Sequence, residues 1–503
     1  MKNNKVTYVL ILAFLNFASL AQPTYAATSE TKEKPSTIYK AAAQPRVTKA
    51  KTPATAPVSS KAMAKNTAKT QGPVLPKNTA KLAVKAPLKI KSKAPPLIAA
   101  RTAQTKTATN TKYASSLSSK NDIAWAQGVG AINKFRPDGS KPYYKQFEDY
   151  VREVIAPRVP GAALAIVADG QVQILEGFGT RAVGTMQPVD ADTVFRLASV
   201  SKTFASGAAA IAVRDKLLSW DTTIQSKVPY VAFSNPNYGR QLTLKDVLAQ
   251  RSGLPKHTYT HLIEENVPYQ ETLGRLKYVN FACPPGKCYS YQNVVYSLSG
   301  DMIKAVTGKT YEAYTVEKLF RPLNMLTASF GLSAFDASPN KAMPHVWRRA
   351  GWQPTDRVDH NYYSVGPAAG VNASIRDMSQ WLLAQLGHKP DVLPIYLLNE
   401  MQQKITPNTL GDSHYADRVD LTNTHYGLGW RIFDFDGQKN FAHHGGWVQG
   451  YRAEVVFNRQ LQIGMAFLTN SETKLARNII FKYLDLYEDD LRKGRIVRTM
   501  AAK

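Results

Sequence analysis

The sequence predicts an α/β (α+β) fold, in which an antiparallel β-sheet is flanked by helices and joined to a largely helical subdomain. Three observations predict it. Apolar or alternating runs that read as strands lie towards both ends of the globular part, at residues 161–167 and 171–177 and again at 426–433, 440–444, 452–457 and 463–468. From residue 199 to about 386 the spacing is mainly helical. Helix-spaced apolar residues bracket the whole, with Phe147, Tyr150, Val151 and Val154 in 143–155 and a long closing helix over 474–491. Strands from both ends then share one sheet, and a site is expected where it meets the helical insertion.

In chain order, residues 1–26 carry Lys2 and Lys5, an uncharged apolar run over 6–20, and small residues up to Ala26, the pattern of a cleaved secretory signal. The run falls short of the ~20 residues a spanning helix needs, so a secreted or periplasmic chain without a transmembrane segment is expected. Residues 27–125 turn to Lys, Ala, Pro, Thr and Ser and read as a disordered tail or linker. From Ala27 to Lys120 there are nineteen Lys and Arg against only Glu30 and Glu33, so this segment carries +17 of the chain's formal +27. Such a tail is a solvated spacer, or a tether to anionic cell-envelope polymers. It lacks the aromatic interleaving of base stacking, and no nucleic-acid partner is expected. Residues 126–495, read as the globular part, are nearly balanced in charge and long enough for one large domain or two intimately joined ones.

Within that domain Asp169-Gly170 joins the first two strands as a hairpin turn. The stretch Phe195-Arg196-Leu197-Ala198-Ser199-Val200-Ser201-Lys202 then leads an apolar segment into an Ala-rich helix running to about Lys216. Residues three apart share a helix face, so Lys202 can stand beside Ser199 and, with a lowered pKa, take its proton; the helix start favours the alkoxide. The same spacing recurs at Ser29/Lys32, Ser338/Lys341 and Ser471/Lys474, but only Ser199 opens a helix with further motifs downstream. Ser199 is the candidate nucleophile and Lys202 its base.

Downstream, Pro284-Pro285-Gly286 turns the chain into Tyr289-Ser290-Tyr291-Gln292-Asn293, ahead of an apolar helix over 294–306. Tyr291 can serve as a general base beside a lysine, and Asn293 can hydrogen-bond a substrate amide or Lys202 itself. Tyr278-Val279-Asn280 has the same form without that setting. Cys283 and Cys288 bracket the turn, and in an exported chain they are expected to close a small disulfide loop. Near the end, Phe441-Ala442-His443-His444-Gly445-Gly446-Trp447 offers small residues after a histidine, suiting a strand that substrate backbone approaches closely. No further His or Cys stands at ligand spacing, so no metal and no cofactor are expected.

Ser-x-x-Lys, Tyr-x-Asn and His-x-Gly, in this order, resemble the serine β-lactamase and penicillin-binding protein superfamily, closest to its class C β-lactamase-like branch. The resemblance runs from about Val129 to Leu491 and includes Leu242-Thr243-Leu244-Lys245-Asp246-Val247-Leu248, Ser252-Gly253-Leu254-Pro255, Ala368-Ala369-Gly370 and Tyr426-Gly427-Leu428-Gly429-Trp430. It implies the β-lactamase/transpeptidase-like fold and an acyl-enzyme on Ser199, with Lys202 and Tyr291 moving its proton. It also implies substrate binding by Asn293 and by the last motif, whose backbone amide at Trp447 would share the oxyanion with Ser199. Both His443-His444-Gly445 and His444-Gly445-Gly446 fit that motif; the spacing to Gly450-Tyr451 points to His444 with Gly446. Class C β-lactamases carry Lys-Thr-Gly there, and a histidine anchors a carboxylate only when protonated. The expected function is an exported serine hydrolase acting on a D-amino-acid peptide, an ester or a β-lactam. The alternative is a non-catalytic or weakly catalytic cell-wall-binding module of the same fold.

Overall fold

A computed structural model describes residues 131–135, 138–355, 358–407, 415, 418 and 420–500. The leader 1–26, the basic tail 27–125 and Ser29/Lys32 lie outside the described residues.

Strand β1 (Ala131–Phe135) is followed by helix α1 (Tyr143–Tyr150) and by the hairpin of β2 (Gly161–Ala168) and β3 (Gln171–Gly179). Asp169 and Gly170 take φ of 51° and 76°, the left-handed pair that a two-residue turn between twisted strands requires. Next come β4 (Val194–Arg196) and helix α2 (Ser201–Arg214), then a run of short helices that includes α3 (Leu298–Thr307). Strands β5 (Ser329–Phe330), β6 (His345–Arg348), β7 (Gly351–Pro354) and β8 (Val371–Ser374) interrupt the region expected to be helical. They build a three-stranded sheet of order β4-β8-β5 and a β6-β7 hairpin. Helix α4 (Ile375–Gln385) starts from a reciprocal cap between Ser374 and Asp377.

The remaining strands are β9 (Thr406–Pro407), β10 (Leu421–Tyr426), β11 (Arg431–Phe435), β12 (Gln438–Val448), β13 (Tyr451–Asn458) and β14 (Ile463–Thr469). After them come helix α5 (Ile479–Arg492) and β15 (Ile496–Met500), which pairs with β1. The main sheet has eight strands in the order β3-β2-β14-β13-β12-β11-β10-β9, antiparallel throughout, so both ends of the domain share it as expected. One expected strand, 426–433, is two: Gly427-Leu428-Gly429-Trp430 reverses the chain, with Gly429 at φ 77°. A Cβ on Gly429 would lie 2.7 Å from the Lys202 carbonyl oxygen, so this turn packs directly on the start of α2.

Both faces of the sheet are covered. In β2, Ala163, Ala165 and Val167 face the core containing α2 and α4, whereas Ala162, Leu164 and Ile166 face the core containing α1 and α5. That is why β2 reads as one unbroken apolar run. Helix α2 is buried from Ser201 to Ala212, and its small residues admit large neighbours closely: Phe204 stacks on Trp381 with ring centroids 4.5 Å apart. Helix α1 has no side-chain cap of its own; the Asp490 carboxylate of α5 accepts the Tyr143 N–H at 2.8 Å.

Candidate active site

Ser199 sits in a single tight turn, Ala198–Val200, that runs straight into α2. Ala198 before it has φ 49°, a left-handed conformation costing a side-chain-bearing residue about 1 kcal/mol. Strand β12 packs on this turn: a Cβ on Gly446 would lie 2.1 Å from the Leu197 carbonyl oxygen, so only glycine lets the strand come this close.

Lys202, one turn on from Ser199 at the start of α2, is completely buried. Its Nζ lies 3.3 Å from Ser199 Oγ and donates to Asn293 Oδ1 at 2.8 Å and to the Ala368 carbonyl at 3.0 Å. Two N–H bonds to two fixed acceptors leave the third tetrahedral direction for the serine hydroxyl. A neutral amine in this cage would aim its lone pair at the Ser199 proton. Burial, with the positive charge of Arg431 adding to it, holds Lys202 well below the usual lysine range. The acceptor at Ala368 comes from the Gly366–Ala369 helix, part of the Ala368-Ala369-Gly370 phrase.

Tyr291 and Asn293 follow the turn that Cys283 and Cys288 close by a disulfide. The face of the Tyr291 ring meets Lys202 Nζ, 4.6 Å from the ring centroid. Asn293 also donates to Thr260 Oγ1 at 3.3 Å, which orients its oxygen towards the lysine. The look-alike Tyr278 is exposed and takes no part. Ser338 ends a helix and Lys341 donates to the Asp336 carbonyl, while Ser471 is buried beside Thr469, so neither repeat of the Ser-x-x-Lys spacing forms a site.

The two histidines of β12 point to opposite faces, and both depart from the sequence expectation. His444 is fully buried, with Nε2 at 2.9 Å from the Tyr426 hydroxyl and Nδ1 at 2.9 Å from the Gly445 carbonyl. Burial, then Arg431 and Lys202, hold it well below the usual histidine range. It is therefore a neutral spacer between Tyr291 and Tyr426 and not the expected conditional positive charge. His443 lies on the other face, also fully buried, with Nδ1 at 2.6 Å from the Tyr415 hydroxyl and Nε2 at 2.9 Å from Glu454 Oε2.

Ser199, Tyr291, Asn293, Gly446 and Trp447 line one cavity of about 650 Å³, together with residues the sequence reading missed: Arg431, Lys256, Arg452 and Glu454. Arg431 follows directly on the Gly427–Trp430 turn and brings a cationic side chain to the cavity. Glu454 had a visible signal, a lone acid in the apolar run 453–457. It is 1 % exposed, and burial, partly offset by Arg452, Arg431 and Arg477, pushes its carboxyl up to about 8. It fits beneath β12 only because position 445 is glycine; a Cβ there would stand 2.6 Å from Oε2. Among the described residues no group of three or more His, Cys, Asp or Glu side chains is arranged to hold a metal ion.

A protein-family model described as Beta-lactamase matches residues 147–486. The unguisins hydrolase ungD' of Aspergillus campestris (strain IBT 28561) is 24 % identical over 353 residues, 68 % of this chain and 64 % of the relative. Protein flp of Staphylococcus aureus (strain NCTC 8325 / PS 47) is 24 % identical over 330 residues, 64 % and 62 % of the two chains. This chain thus spans less than two thirds of the length of these relatives. Among solved structures, the octameric penicillin-binding protein homologue from Pyrococcus abyssi matches with a TM-score of 0.59 and 24 % identity, over 70 % of this chain and 77 % of that one. EstCE1, a hydrolase with promiscuous acyltransferase activity, matches with a TM-score of 0.58 and 18 % identity, over 69 % and 98 %. Both share the fold of helices around an antiparallel sheet.

Proposed function

Since this chain belongs to the beta-lactamase family, we propose that it is an exported serine hydrolase that forms an acyl-enzyme on Ser199 from a carboxylate-bearing amide or ester, of the D-amino-acid peptide, ester or β-lactam type. One observation carries the reading: the Lys202 amine is buried, depressed in pKa and held by two acceptors so that its remaining direction meets Ser199 Oγ. In the reaction, the Ser199 proton passes to Lys202 Nζ as Oγ bonds to the carbonyl carbon. The C–N or C–O bond then breaks, and the leaving group takes that proton through Lys202 and Tyr291. Water attacks the acyl ester, giving up a proton along the same path and restoring Ser199.

Arg431, Lys256 and Arg452 around the cavity supply permanent positive charge for a substrate carboxylate, which buried His444 does not. Export rests on the leader-like residues 1–26 and fits a disulfide that needs an oxidising compartment. Tethering of the basic tail to anionic envelope polymers belongs to the same proposal.

The test is labelling of purified protein with a fluorophosphonate and with a fluorescent penicillin, followed by mapping of the modified residue, beside turnover of a p-nitrophenyl ester, a cephalosporin and a D-Ala-terminated peptide. Label on Ser199 with turnover of at least one substrate supports the proposal. Unlabelled Ser199 and no turnover would leave the wall-binding module in its place.

A further inference from the structure

The hairpin of β6 and β7 presents two tryptophans that take no part in the catalytic cavity. Trp347 and Trp352 are directly opposed across the strands, edge to face, with ring centroids 5.2 Å apart and planes at 85°. Trp347 is 59 % exposed, whereas Trp352 is anchored, its indole N–H donating to the Arg158 carbonyl at 2.8 Å. His345, two residues before Trp347 and so on the same face of the strand, accepts the Val183 N–H on Nε2 at 3.0 Å. The 181–188 loop therefore runs along the side of the hairpin that carries the tryptophans, and it exposes Val183 and Met186, the latter at 96 %. The base of the hairpin is fixed. The His345 N–H donates to the Asn470 carbonyl at 3.1 Å, and Pro344 packs on Gly450 between β12 and β13, where a Cβ would stand 2.3 Å from Pro344 Cβ.

The charge around this apolar tip has one sign. Residues 341–354 and 181–188 contain Arg181, Lys341, Arg348 and Arg349 and no Asp or Glu. Arg348 and Arg349 are exposed where β6 turns into β7, and among the described residues neither forms an ion pair. Two copies of such a patch repel each other, so it is not a self-docking surface. A hairpin tip is convex and offers a peptide no groove, and a neutral glycan makes no use of the cations. A bilayer with anionic head groups suits both features: indoles rest at head-group level, apolar side chains enter below, and guanidinium groups pair with phosphates. Residues 27–120 carry +17, a second signal of the same sign, and stable attachment to a membrane surface takes two. We infer that the β6–β7 tip, with the 181–188 loop, is a docking surface for an anionic lipid bilayer, Trp347 and Met186 entering the head-group layer and Arg348 and Arg349 meeting its phosphates. The inference stands apart from the chemistry at Ser199.

The test is sedimentation of the full chain with vesicles of equal parts phosphatidylglycerol and phosphatidylcholine, and with vesicles of phosphatidylcholine alone. It is run at about 0.15 M salt and at about 1 M, where the long-range attraction of the tail is largely screened. Wild type should bind the mixed vesicles more tightly than the neutral ones, and bromine-labelled lipid should quench part of its tryptophan emission. Trp347→Ser should weaken binding about tenfold at both salt levels and remove most of that quenching. Arg348→Gln with Arg349→Asn, the asparagine keeping the left-handed backbone that Arg349 has at φ 55°, should weaken binding about tenfold at the lower salt and much less at the higher. This second variant leaves both tryptophans in place and tests the surface even where Trp347→Ser folds poorly. Equal binding by wild type and both variants, without quenching, would mean that the tail alone holds the membrane and would overturn the inference. Binding to neither vesicle would overturn it too, as would binding to insoluble cell-wall polymer that Trp347→Ser loses while vesicle binding stays unchanged. Ester turnover in solution, measured beside these, bears on Ser199 and not on this surface.

Discussion

Glu454→Gln tests how strongly the β12–β13 face of the cavity is tied to a neutral acid. Burial raises this carboxyl from an ordinary 4.5 to about 8. The native state therefore binds a proton that the unfolded chain releases, and the linked stability is fully present below 4.5 and is lost as pH rises through the folded value. At about 1.4 kcal/mol per pH unit, the whole window is worth about 5 kcal/mol, of which about 3 to 4 falls between pH 5 and pH 8. Glutamine keeps the shape and a polar contact to His443 but has no proton to release. Urea unfolding of the full chain, followed by tryptophan fluorescence across that pH range, should show wild type losing about 3 kcal/mol more than the variant. Parallel pH dependences for the two proteins would refute the neutral acid. Equal catalytic rates in the two at acidic pH, diverging above it, would be the matching kinetic signature.

Ser199→Ala should abolish covalent labelling and turnover while leaving stability within about 0.5 kcal/mol, as unfolding and active-site labelling in parallel would check. Arg431→Met removes a charge that depresses Lys202, so the lysine should rise and the acid limb of the acylation rate should move to higher pH; a limb that stays or moves down contradicts the assignment. His444→Gln should leave the relative pH profiles of neutral and carboxylate-bearing substrates unchanged, because the ring it replaces is already neutral; divergence near ~6.5 in wild type that vanishes in the variant would restore histidine as the anchor. Replacing Cys283 and Cys288 by serine opens a short loop and should cost about 2 kcal/mol in chemical unfolding, with a larger relative effect on acylation than on folding because the loop leads into Tyr291.

The parts legible in the sequence are those written in local patterns. The β2–β3 hairpin followed from Asp169-Gly170, and the meeting of Ser199, Lys202 and Asn293 from helix spacing and a turn. The strands β4, β5 and β8 were not legible, since two to four residues carry too little alternation to declare a strand amid helices. The split at Gly427–Trp430 was hidden because the flanking residues remain apolar, and only the contact of Gly429 with Lys202 shows why the chain must turn there. The role of His444 failed on burial, a property of the packed sheet that no spacing reveals: whether a histidine carries charge depends on what covers it. Arg431 reaches its cavity through tertiary packing in the same way.

The sheet also sets an order of events during synthesis. The Thr469 hydroxyl bonds the Gly161 carbonyl across 308 positions, and Asp490 caps α1 across 347. Until β14 and α5 have left the ribosome, the β2 edge of the hairpin is open as well as that of β3, the apolar faces of β2 are uncovered, and the Asp490 acceptor for the leading amide of the first helix does not yet exist. Ser199, with β4 and α2 on either side of it, is thus made long before the sheet that will press against it. The cavity beside Ser199 is therefore completed only when these distant contacts close.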